Sequence, residues 1–267
     1  DEVKNIPSEE IRGNIVFYNR PMDSLLINTF AAYGGAADQR VIGASEAAKY
    51  GAAAVIVRSM TTRTSDVIHT GTLFYRPDDP KIPAFSISTK DANKLSAMLE
   101  DGKIESVFLR NTSKMLDDAP SYNVIGEIKG SEFPDEVILV GGHLDSWDVG
   151  QGAHDDGAGC VHSMGVPHIF SKMNYKPKRT IRVVLFMNEE NGSAGAKEYA
   201  RVAGEENLFH LAAFESDAGG FTPQGFGFDA HDDVKDDYLK KVRSWQDLFI
   251  PYDISLRFGG SGADVGP

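Results

Sequence analysis

Ile181–Met187 is a run without apolar–polar alternation, and Val137–Val140 leads in the same manner into Gly141-Gly142. A strand with one wet face alternates apolar and polar side chains, so runs of this kind belong to strands covered on both faces. Further β runs follow at Leu211–Phe214 and Ile254–Phe258. Helical stretches fit between them at about Ala158–Met173, Ala194–Val202 and Val234–Phe249. The expected class is therefore α/β, with a mostly parallel, helix-covered sheet. Pro167 lies inside the first of these helices and is expected to kink or end it.

The N-terminal half has a different texture. Asn14–Tyr18, Ala53–Arg58 and Ile82–Ile87 read as short strands, with an Ala-rich helix from about Gln39 to Tyr50 stopped by Gly51. Ser88 or Thr89 caps a helix reaching Glu100, and Ile104–Leu109 closes this unit. The polar stretch Asn111–Ser121, with Pro120, reads as a linker. A boundary near residue 118 gives two domains, 1–118 and 119–267, in keeping with 267 residues at about 150 per domain.

Composition excludes several functions. Lys and Arg number 27 against 39 Asp and Glu, a formal charge of −12 that disfavours a phosphate-binding surface, so no nucleic-acid partner is expected. The longest stretch without a charged side chain, Gly157–Ser171, is shorter than the roughly 18 apolar residues of a membrane span. Cys160 is the single cysteine, which rules out an internal disulfide and a thiolate-based zinc cluster. Nucleotide-binding glycine fingerprints and His-Glu-x-x-His are absent. Asn191-Gly-Ser193-Ala-Gly195 has Asn where a nucleophile elbow needs its first Gly, and reads as a loop. Cys160 beside His162 reads as helix packing rather than a thiol nucleophile.

Polar residues gather where each long strand ends. His143-Leu-Asp145 follows the first, Glu189-Glu190 the second and Glu215-Ser-Asp217 the third. Ligands of open α/β sheets bind beyond the carboxyl ends of the strands, so these groups converge on one edge. A Gly-rich loop, 150–159, adds Asp155 and Asp156. Carboxylates crowded together raise one another's pKa unless a cation holds them. Imidazole with carboxylate, without thiolate, suits Zn, Mn or Co.

The segment Gly142-His-Leu-Asp-Ser-Trp-Asp-Val-Gly-Gln-Gly-Ala-His-Asp-Asp-Gly157 resembles the signature of the co-catalytic di-zinc aminopeptidase family, as do Pro177–Phe186, Glu189-Glu190 and Glu215-Ser-Asp-Ala-Gly219 in the same order. Gly13–Pro21 and Lys81–Ala84 are similar to the protease-associated domain which that family inserts into its peptidase domain, where it restricts what enters the cleft. The resemblance implies a zinc-dependent exopeptidase, an aminopeptidase or dipeptidase that hydrolyses short peptides through a metal-bound water. It makes Asp155 the bridge between two zinc ions, with His143 and Asp217 completing one site and Glu190 holding the other. Glu189 becomes the general base, and Asp145 the acceptor behind His143 that fixes the imidazole. A cis peptide is expected at Asp155–Asp156.

The resemblance implies one more His ligand downstream of Gly259–Pro267, which none of His69, His154, His162, His168, His210 or His231 matches. The peptidase domain is thus expected to be incomplete at its C-terminus. His154, directly before the bridging Asp, is open to three readings: spare ligand, gatekeeper or solvent-facing side chain. Two rival functions stay open: a catalytically inactive scaffold of the same fold, and a single-zinc acyl transferase of the glutaminyl-cyclase type. Secretion or a periplasmic location and a homodimer are further implications of the resemblance.

Overall fold

The computed structural model describes residues 3–114, 116–147, 150–260 and 262–267. Asp148 and Val149 of the signature segment, Met115 of the linker and Ser261 lie outside the described residues. The chain divides into two compact units, Asp1–Asp117 and Asp118–Pro267.

In the first unit the order is α1 (Ser8–Ile11), β1 (Ile15–Tyr18), α2 (Thr29–Val41), α3 (Gly43–Ala48), β2 (Ala54–Arg58), β3 (Ala84–Ile87) and α4 (Thr89–Glu100). The three strands form a parallel sheet in the order β1-β2-β3. Small side chains let the α3 helix approach this sheet closely, with Ala44 and Ala47 packed in one cluster with Val55 and Val57. Ser88 caps α4 by accepting the Asp91 amide at 3.0 Å. The single Ala-rich helix expected from Gln39 resolves into α2 and α3, and begins earlier. Its start is set by Asn28, whose side chain accepts the Phe30 and Ala31 amides. Ile104–Leu109 forms no regular element.

The second unit runs β4 (Val124–Ile128), β5 (Phe133–His143), α5 (Gly157–Lys172), β6 (Arg179–Phe186), α6 (Ala194–Glu205), β7 (Phe209–Glu215), β8 (Gly225–Phe228), α7 (Lys235–Arg243), α8 (Gln246–Phe249) and β9 (Ser255–Phe258). Its main sheet has the order β4-β6-β5-β7. β5, β6 and β7 are parallel, while β4 joins β6 antiparallel at the edge. The fold is mixed α/β with mostly parallel sheets. β4 and β8 were not anticipated, because both are short and neither carries a long apolar run. The helix expected over Val234–Phe249 is interrupted between Arg243 and Gln246.

β6 shows why an unalternating run is needed. Val184 and Phe186 face a cluster with Leu139 and Ala196 of α6, while Val183 and Leu185 face Cys160 of α5. Arg182, the charge within the run, reaches the β4 edge and meets Glu127 at 2.9 Å. Pro167 does not end α5, which continues unbroken to Lys172. Proline removes one intrahelical bond there, and packing of the helix on the sheet outweighs that loss. At Gly142 the backbone must come close to the start of α5: a Cβ there would lie 2.4 Å from Asp156 Oδ2.

Phe186 is 1% exposed and sits edge-on to Tyr199 at 5.9 Å. Phe186→Ala should therefore lower unfolding stability by about 3–5 kcal/mol. Urea titration followed by circular dichroism reads this directly. A loss well under about 1 kcal/mol would mean that the cluster does not carry the sheet.

Candidate metal centre

His143 ends β5 and is 1% exposed. Its amide donates to Asp156 Oδ2 at 3.0 Å, and its Nδ1 lies 2.9 Å from the Asp145 carbonyl oxygen. A carbonyl can only accept, so Nδ1 carries a proton and the ring is locked with Nε2 facing the strand ends. Nε2 is buried without a hydrogen-bond partner among the described residues. Around it lie Asp155 Oδ1 at 3.1 Å, Asp217 Oδ1 at 3.3 Å and Glu189 Oε2 at 4.0 Å.

The carboxylate of Asp145 does something other than expected. It accepts the Glu189 amide at 3.0 Å through Oδ1 and the Glu190 amide at 3.2 Å through Oδ2. Its Oδ1 is 3.7 Å from His143 Nδ1, beyond hydrogen-bond reach, so the backbone carbonyl takes the role foreseen for the side chain. Asp145 thus places the Glu189-Glu190 pair relative to His143.

Of the expected residues, His143, Asp155, Asp217 and Glu189 come together. Glu190 belongs to the same cluster, for His143, Glu189 and Glu190 present donor atoms within 4.8 Å of one another. His143, Asp156 and Asp217 do so as well. Asp156, however, has both oxygens engaged, with the His143 amide and, at 2.9 Å, the Gly159 amide at the start of α5. Its work is to cap the helix and hold the strand end. The peptide between Asp155 and Asp156 is cis, as expected.

Two acids had no role assigned from the sequence: Glu215, read there only as one of the strand-end polar residues, and Asp264. Glu215 accepts three backbone amides, from Ala263, Asp264 and Val265, at 3.0, 2.8 and 2.9 Å. This folds the Gly-rich tail onto the centre and buries Asp264, 4% exposed, with neither carboxylate oxygen hydrogen-bonded among the described residues. The only local signal was an isolated Asp among glycines, which does not foretell burial. Cys160 is buried and its thiol faces the His143 carbonyl oxygen at 3.0 Å, while His162 contacts Ser216 instead. Burial, with Asp156 and Asp264 nearby, pushes the thiol up to about 11, so it is no nucleophile near neutrality.

The electrostatics describe a centre built for a cation. Burial raises Glu189, and burial with Asp155 and Glu189 raises Glu190 to about 7. Burial, Glu215 and Glu189 push Asp264 to about 7. Burial alone would lower His143, but Asp217, the Asp145 carbonyl and Asp156 outweigh it and lift the imidazole to about 10. The protonated ring then supplies the positive charge that the carboxylates require. An orphaned imidazole nitrogen among carboxylate oxygens fits a divalent ion of nitrogen and oxygen preference.

A mostly parallel α/β sheet with this donor set at its strand ends defines an α/β domain with a candidate metal centre at the carboxyl edge of its sheet. More narrowly, residues 123–250 match the model of peptidase family M28. Carboxypeptidase Q of Xenopus laevis is 42% identical over 83% of this chain and 45% of its own length. The Homo sapiens carboxypeptidase Q is 37% identical over 99% of this chain and 54% of its own. Among solved structures, a peptidase M28 precursor from Shewanella amazonensis superposes with a TM-score of 0.83 at 32% identity, covering 98% of this chain and 59% of that one. A zinc aminopeptidase from Bacillus subtilis shares the fold, with a TM-score of 0.63 at 20% identity over 98% of this chain and 58% of its own. The chain spans about half the length of the curated relatives it matches.

Because His143 holds its extra proton up to about 10 and Glu190 up to about 7 in the metal-free chain, a divalent ion entering here must displace protons. Calorimetric titration at pH 7 in two buffers of different ionisation enthalpy should show net proton release, and apparent affinity should rise from pH 6 to pH 8. Binding with no proton exchange would place the ion elsewhere.

Proposed function

We propose that this chain provides the metal-holding part of a zinc-dependent exopeptidase, an aminopeptidase or dipeptidase acting on short peptides with a free terminus. The observation that carries the proposal is the buried Nε2 of His143, without a hydrogen-bond partner among the described residues and facing the carboxylates of Asp155, Asp217 and Glu189 from three loops that follow strands. In this assignment Asp155, His143, Asp217 and Glu190 would hold the zinc, with Asp155 shared between the His143–Asp217 side and the Glu190 side. Bound zinc would supply a Lewis acid for the peptide carbonyl and lower the pKa of water.

The protein's own groups would do the rest. Glu189, whose basicity is raised by burial, takes a proton from the attacking water and delivers it to the leaving amine. The Nδ1–H bond to the Asp145 carbonyl keeps the imidazole from turning. Asp145, by accepting both glutamate amides, anchors the backbone that carries the base and the ligand beside His143. Residues 1–118 would be the inserted protease-associated domain, and secretion or a periplasmic location would fit relatives of this kind.

Two substitutions separate the roles. Glu189→Gln should retain zinc while turnover of unblocked dipeptides falls by about 10²–10⁴-fold. Asp217→Ala should instead lose zinc, read by elemental analysis of the purified chain. Undiminished turnover in Glu189→Gln would refute the base assignment. Zinc uptake with cyclisation of a glutaminyl substrate would favour the single-zinc acyl transferase instead.

A further inference from the structure

Asp155 and Asp217 reach His143 Nε2 from two different loops, and as like charges they push those loops apart. The loop carrying Asp217 is well anchored on its N-terminal side. The Ser216 amide donates to the Gly141 carbonyl at 3.0 Å, and Glu215 holds the tail at 263–265. Beyond Asp217 the anchoring thins out. Among the described residues, the one hydrogen bond made by the backbone of 218–223 is from the Gly220 amide to His154 Nδ1, at 2.8 Å.

We infer that His154 is a positioning residue that clamps the Asp217 loop to the Asp155 loop by accepting the Gly220 amide proton. His154 directly precedes Asp155, and Gly220 stands three residues after Asp217, so one bond ties together the two carboxylates that flank His143. The loop is shaped to the ring. Phe221 packs against it with centroids 4.6 Å apart, and Gly219, at φ +80°, leaves the space where a Cβ would fall 2.8 Å from the imidazole. Because Nδ1 accepts, the ring's proton sits on Nε2, and Nδ1 has no lone pair left to offer a metal.

The consequence for metal affinity rests on the zinc reading above; the clamp itself does not. Three variants divide it: His154→Ala removes ring and acceptor, His154→Phe keeps a ring, and His154→Asn keeps an acceptor at the δ position. Hydrogen exchange of the Gly220 amide, followed by NMR on the metal-free chain, reports the clamp without any metal. Zinc affinity by chelator competition reports its effect on the centre.

Ala and Phe should both abolish Gly220 protection and weaken zinc by about tenfold, while Asn stays within about threefold of the parent. Melting temperatures of the metal-free variants should not move, since His154 is exposed. Unprotected Gly220 in the parent would overturn the clamp, and undiminished zinc affinity in His154→Phe would overturn its effect on the centre. A parent chain that protects Gly220 yet takes up no zinc would instead overturn the metal reading and leave the clamp standing.

Discussion

The hydrogen bond between His143 Nδ1 and the Asp145 carbonyl fixes a buried imidazole at the end of β5 and turns its other nitrogen toward Asp155, Asp217 and Glu189. Everything at that end of the sheet answers to this arrangement. Desolvated carboxylates repel one another, and their ionised forms are disfavoured without a nearby positive charge. In the metal-free protein that charge is the His143 proton, held to about 10. The same field that retains the proton makes the centre a receptor for a divalent ion, so proton and metal compete for one position.

The acids divide into two kinds according to what meets their oxygens. Asp145, Asp156 and Glu215 each accept two or three backbone amides and thereby build the loops. Asp155, Asp217 and Glu189 face the imidazole instead. The backbone amides offset only part of the burial, which still raises Asp156 to about 6 and Glu215 above the usual carboxylate range, and they make these side chains structural joints. The three that face His143 are set in place by those joints. Close backbone approach completes the frame, as at Gly142, where any side chain would strike Asp156.

The type of the long strands and the strand-end placement of the polar residues are legible in the sequence. Runs such as Ile181–Met187 betray burial on both faces through local pattern alone, and His143, Glu189 and Asp217 fall next to such runs. What escaped was of two kinds. Short elements such as β4 and β8 have too few residues for a periodic signal. The start of the Ala-rich helix moved because Asn28 captured two amides ahead of it, and α5 runs through Pro167 because its packing on the sheet outweighs the lost bond.

Residue order therefore settled the α/β class and the edge of the sheet where the chemistry lies, since both follow from periodicity over a few neighbouring positions. Only folding decided which acid meets an amide and which meets the imidazole. Asp145 finds its amide partner 44 residues away, and Glu215 finds the Asp264 amide across 49. The burial of Asp264 and the clamp of His154 on Gly220, 66 residues on, come from the same long-range closure. Desolvation and hydrogen-bond partners are properties of the assembled neighbourhood, and no local stretch of sequence contains them.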